Sequence, residues 1–188
     1  QKREDMEQCF ANTEAYMEDD NYIRAKEECK KALELAKKLR DKETESRYNN
    51  YLICLEAIIN ADDYYEKGDY AEARDAYLSA KVRARYADKI ASGYIEDRLW
   101  QINEYEEVFD LLALGDKLLE LESYGPAEEK YLEAKRKAAA IYYADGKQQA
   151  LDALDKLYEE WSAVKEEEEQ QNAQQAAAEV SAADLVRQ

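Results

Sequence analysis

The stretch "GDYAEARDAYLSA", residues 68–80, decides the fold. It opens on Gly68-Asp69-Tyr70 and then sets Ala73, Tyr77 and Ala80 at steps of four and three. Glycine followed by aspartate ends one helix and begins the next. The three residues beyond share one face of the second helix. Small residues on a helix face let another backbone approach closely, and a ring between them fills the space that remains. The stretch therefore reads as the turn and second helix of a helical hairpin.

The same frame recurs on either side. "DNYIRAKEECKKA" carries Tyr22, Ala25, Cys29 and Ala32, and "ESYGPAEEKYLEA" carries Tyr124, Ala127, Tyr131 and Ala134. The anchoring alanines stand at 25, 73 and 127, so the repeats are 48 and 54 residues apart. The preceding helices align as well. Thr13, Ala61 and Gly115 lie twelve residues before the anchors, and Tyr16, Tyr64 and Leu118 lie nine before them.

These residues resemble the tetratricopeptide repeat, which pairs a Leu-Gly-x-x-aromatic helix with an Ala-x-x-x-aromatic-x-x-Ala helix. Leu114-Gly115 with Ala127, Tyr131 and Ala134 match it best, and Gly68-x-Tyr70-x-x-Ala73 reproduces its inner turn. The period is longer than the family's ~34 residues, and the usual closing proline is missing. Longer helices account for both. The resemblance implies an all-α fold: a right-handed α-α superhelix of three hairpins and a capping helix over residues 1–165, followed by a tail at 166–188. Helix signals and breakers place helices at about 3–19, 22–39, 42–67, 70–86, 88–122, 126–143 and 147–165, the fifth with a break near Ser92-Gly93. The tail, rich in Glu, Gln and Ala, is a linker or a helical extension that leans on another molecule. The chain opens at Gln1, which suggests a segment of a larger protein.

Composition narrows the chemistry. There is no histidine, which removes imidazole bases and His-ligated metals, and there is no glycine-rich phosphate loop. Asp19-Asp20 and Asp62-Asp63 lack the alternating oxygens, glycine and closing glutamate of an EF-hand. Neither an enzyme nor a cofactor site is expected. The formal charge is −17, which repels nucleic acid and anionic membrane and draws basic partners. No apolar run is long enough to insert into a membrane. Cys9, Cys29 and Cys54 lie within helical patterns without paired spacing, as reduced packing residues of a cytoplasmic protein would. Of the adjacent tyrosines Tyr64-Tyr65 and Tyr142-Tyr143, one of each pair should face away from the core, since helix neighbours diverge by about 100°.

One further pattern bears on function. Eleven residues before the anchors stand Glu14, Asp62 and Asp116, and seven before stand Glu18, Glu66 and Glu120. Fifteen before stand Phe10, Ile58 and Leu112, and eight before stand Met17, Tyr65 and Leu119. In the resembled family this first-helix face lines a concave groove that holds the ligand. The acids replace the lysine and asparagine with which the family's best-known version grips a carboxylate, so a carboxylate clamp is excluded. The expectation is a non-enzymatic interaction or scaffold module that binds a basic or amphipathic protein segment along these residues. The competing expectation is a structural spacer or homodimerisation arm that regulates an attached phosphatase or kinase domain.

Overall fold

The computed structural model describes residues 1–87 and 92–186. It is all helical: α1 (Lys2–Glu18), α2 (Tyr22–Leu39), α3 (Lys42–Lys67), α4 (Tyr70–Ala84), α5 (Ser92–Glu120), α6 (Tyr124–Ala140) and α7 (Ala144–Val186). No strand occurs among the described residues. No helix among them is long and apolar enough to cross a membrane. The chain divides into two compact units, Gln1–Asn103 and Glu104–Gln188. The boundary between them falls inside α5.

Every described helix-to-helix turn closes in the same way. One residue adopts a left-handed backbone: Asp20, Arg40, Gly68, Glu122 and Tyr142. The following residue donates its N–H to a carbonyl five positions back, as from Asn21 to Tyr16 (2.8 Å), Asp69 to Tyr64 (3.0 Å) and Ser123 to Leu118 (2.9 Å). This bond satisfies a helix-end carbonyl, and in four of the turns the same residue takes the N-cap position of the next helix, with a side-chain cap bond in two. Asn21 accepts from the Arg24 N–H (3.3 Å) and Asp41 from the Thr44 N–H (3.2 Å). Only Gly68 takes the left-handed geometry without a Cβ penalty. The other four turns carry no glycine signal, yet they are as tight.

Over the first six helices the positions agree with the sequence reading to within a few residues, with one correction at α6. α6 begins at Tyr124, so Gly125 and Pro126 lie in its first turn, where proline's missing N–H costs nothing. α5 begins at Ser92, where a break was expected; its expected start at residues 88–91 lies outside the described residues. The capping helix and the tail are one helix of 43 residues, about 64 Å long.

In the first unit the core is built from the repeat frame. Ala25, Cys29, Ala32, Ala73, Tyr77 and Ala80 are fully buried, with Thr13 and Ala61 opposite them. Phe10 stacks on Tyr48 (4.3 Å between centroids) and meets Tyr51 edge-on (5.0 Å). In the second unit Ala127, Tyr131 and Ala134 are equally buried. There Gly115 lies so close to the Tyr131 ring that any Cβ would collide with it. That contact is the physical reason for a small residue twelve positions before the anchor. Tyr143 is buried against Tyr105 (4.1 Å) while Tyr142 is 94% exposed, as helix geometry requires. Tyr64 and Tyr65 do not divide this way; both are half-buried, because neighbours of α3 cover each side.

Candidate functional site

An open cleft of about 510 Å³ lies in the first unit, between the α1–α2 turn, the C-terminal end of α3 and the start of α5. The turn supplies Asp19 and Asp20 because the chain reverses there through the left-handed Asp20. α3 supplies Asp62, Asp63, Tyr65 and Glu66, and α5 supplies Tyr94 and Arg98, one turn apart. Tyr22 opens α2, and its ring packs on Tyr94 at 4.8 Å. Ile23, largely exposed, and Ile59 add apolar surface.

The polar groups fall into two classes. Asp62 is an internal acceptor: the Tyr77 hydroxyl donates to it in a short bond, and the Tyr94 hydroxyl donates to the same oxygen (2.7 Å). Asp20 accepts from Tyr22 (3.1 Å), and Asp63 pairs with Lys67 (2.5 Å). Asp19 and Glu66 form no ion pair among the described residues and line the cleft as exposed acids. Burial, reinforced by the carboxylate each hydroxyl faces, raises the phenols of Tyr22, Tyr77 and Tyr94 above the ordinary tyrosine range. They therefore remain neutral donors at physiological pH.

The cleft already holds one cation. The Arg98 guanidinium lies 4.6 Å from the centre of the Tyr65 ring and 5.1 Å from that of Tyr94. Its Nε donates to the Tyr94 hydroxyl (3.2 Å), and another guanidinium nitrogen donates to Gln101 Oε1 (3.1 Å). Tyr65 donates to that same Gln101 oxygen (3.1 Å). Two aromatic faces and an acidic surround are the arrangement that attracts a guanidinium.

Of the sequence-predicted residues, Asp62, Tyr65 and Glu66 meet in this cleft. Asp116, Leu119 and Glu120 line a second open cleft of about 370 Å³ in the other unit, with Lys156 and Glu160 of α7. The four from the first helix, Phe10, Glu14, Met17 and Glu18, line neither. The expected apolar anchors require correction. Phe10, Met17, Ile58, Leu112 and Leu119 are buried in the packing of their own units and present little surface to a partner. Asp62 and Asp116 are partly redirected too, since Tyr131 donates to Asp116 (2.7 Å) as Tyr77 does to Asp62. Sequence reading missed Tyr22, Tyr94, Arg98 and Gln101. Their only signals were Tyr94 and Arg98 at i, i+4, which lie outside the repeat frame.

Among the described residues, no three acids or cysteines cluster as a metal-ion cage. Burial pushes the Cys29 thiol up to about 12 and the Cys54 thiol up to about 11, which keeps both protonated. No family model, curated protein or solved structure matches this chain.

Proposed function

We propose that the chain is a non-enzymatic interaction module that captures a basic or amphipathic protein segment in the acidic, tyrosine-walled cleft of its first unit. The observation that carries this reading is Arg98, a guanidinium accommodated between Tyr65 and Tyr94. A site that accommodates its own arginine has the chemistry to accept another at its rim, where Asp19 and Glu66 are available. Ile23 and Ile59 would meet the apolar side of such a segment, and the chain's field would speed encounter. The three frames and the shared turn closure support a tetratricopeptide-like array as the framework. The protonated thiols suit a reducing, cytoplasmic setting.

The test is calorimetric titration with a synthetic helical peptide bearing arginine every third or fourth position, at low and high salt. A glutamate-for-arginine version serves as control. Saturable binding of the arginine peptide alone, weakening as salt rises, supports the reading. Equal heats from both peptides would end it. A second reading, an association arm, is favoured by the exposure of α7 beyond Lys165.

A further inference from the structure

α4 carries an apolar row that no described residue of its own unit covers fully. Leu78 is 45% exposed and Val82 56%, and Tyr86, in the turn beyond, is 70% exposed. Steps of four place the three near one face. Lys81, Arg83 and Arg85 flank them, and residues 78–86 contain three cations and no acid in a chain of net charge −17. Lys81 reaches Glu96 of α5 (3.1 Å), whereas Arg83 and Arg85 form no ion pair among the described residues. Arg85 and Tyr86 also border an open cleft of about 530 Å³ with Glu43, Ser46, Arg47 and Asn50 of α3. The surface is apolar and basic, the opposite of the acidic cleft.

The complementary surface lies on the same chain. From Glu166 to Ala177 every residue of α7 is exposed, so the helix runs on with nothing of its own unit packed on it. Glu166, Glu169, Ala173 and Ala176 follow one another at steps of three, four and three, which places them on one face. On that face two carboxylates precede two small apolar residues by about one turn. On α4 the order along the chain is reversed, with Leu78 and Val82 before Arg85. An antiparallel pairing therefore sets Arg85 against Glu166 and Glu169, and Leu78 and Val82 against Ala173 and Ala176. The alanines allow close approach, so burial of Leu78 and Val82 supplies most of the affinity while the charge pairs set the register and add to it.

We infer that this chain self-associates, with the α7 segment 166–177 of one copy docking antiparallel on the α4 ridge Leu78–Val82–Arg85 of a second copy. If each copy makes the contact reciprocally, the assembly closes as a dimer. The inference does not rest on the acidic cleft, and neither reading falls with the other.

Analytical ultracentrifugation of the full chain at low salt tests it, with far-UV circular dichroism to verify that each variant keeps its helices. The mass should rise with concentration from 21.8 kDa towards twice that value. Val82→Glu should abolish association. Arg85→Glu alone, and Glu166→Arg with Glu169→Arg, should each weaken it about tenfold, the effect of losing roughly 1.4 kcal/mol. Combining the two sets should restore it. A chain that stays at the monomer mass at every concentration overturns the inference. So does a dimer that survives Val82→Glu, or charge reversals that fail to rescue one another.

Discussion

The first repeat frame and the two that follow bury the same positions but fill the middle one differently. In the second and third, a tyrosine of the later helix donates to an aspartate of the earlier one, Tyr77 to Asp62 and Tyr131 to Asp116. In the first, that tyrosine is Cys29 and that aspartate is Glu14. The Cys29 thiol makes no such bond to α1 and donates instead to the Tyr48 carbonyl of α3 (3.4 Å). Glu14 stays half-buried at the edge. The two positions change together because they form one hydrogen-bonded unit. A buried phenol needs an acceptor within reach, and a carboxylate on the facing helix supplies it. The comparison shows that an acid repeated at fixed spacing can mark packing, not binding. In two frames the acid eleven residues before the anchor accepts from a buried tyrosine, Asp62 half-buried and Asp116 exposed, while the row seven before, Glu18, Glu66 and Glu120, is exposed in all three.

Substitutions sharpen that contrast, and the largest effect should come from the shape of the frame. Gly115→Leu drives a side chain into the Tyr131 ring and should cost about 3 kcal/mol in urea unfolding, the upper range for overpacking. Ala71→Leu, on the exposed side of α4, should cost less than about 0.5 kcal/mol. Equal costs at the two sites would remove the frame as a packing device.

Next come the polar pairs. Tyr131→Phe leaves Asp116 without its tyrosine donor and should cost about 1–1.5 kcal/mol. Tyr77→Phe should cost less, because Tyr94 still donates to Asp62. Cys29→Ala should lose packing and only the weak thiol bond to the Tyr48 carbonyl. If Tyr77→Phe proves the costlier of the two tyrosine changes, the shared acceptor at Asp62 is misread. It also follows that Asp62 is not freely reversible: lysine there would strand two hydroxyls as well as alter the cleft.

A smaller effect, of opposite sign, belongs to the turns. Tyr142 holds a left-handed backbone at φ +57° with its ring in solvent. Tyr142→Gly should relieve that strain and stabilise the protein by about 0.5–1 kcal/mol. Gly68→Ala, at φ +81°, should destabilise by a similar amount. A melting temperature that moves the same way in both would contradict the shared turn geometry.

The helices were legible in the sequence because Ala73, Tyr77 and Ala80, and their counterparts, repeat with a spacing that only a helix satisfies. The turns at Asp20-Asn21 and Gly68-Asp69 were visible for the same chemical reason that they form. Arg40, Glu122 and Tyr142 were not, since their left-handed geometry is imposed by the packing on either side. The site was half legible. Counting back from the anchors found Asp62, Tyr65 and Glu66, but the same count credited Phe10, Met17 and Ile58 with surface that the core takes from them. Tyr94 and Arg98 enter the cleft from α5, whose start has no counterpart in the frame. Only the fold brings them there.

The account divides the acids into those that hold the fold and those that meet a partner, and one paired measurement tests that division directly. The arginine-bearing peptide is titrated into the wild type and into Asp19→Asn with Glu66→Gln, while thermal unfolding is followed on both proteins. Both residues are exposed, so stability should change by no more than about 0.5 kcal/mol. Loss of two rim charges should weaken binding about five- to tenfold at low salt, with the difference shrinking as salt rises. Unchanged affinity in the doubly neutralised protein, folded and equally stable, would contradict the claim that these acids are the binding surface.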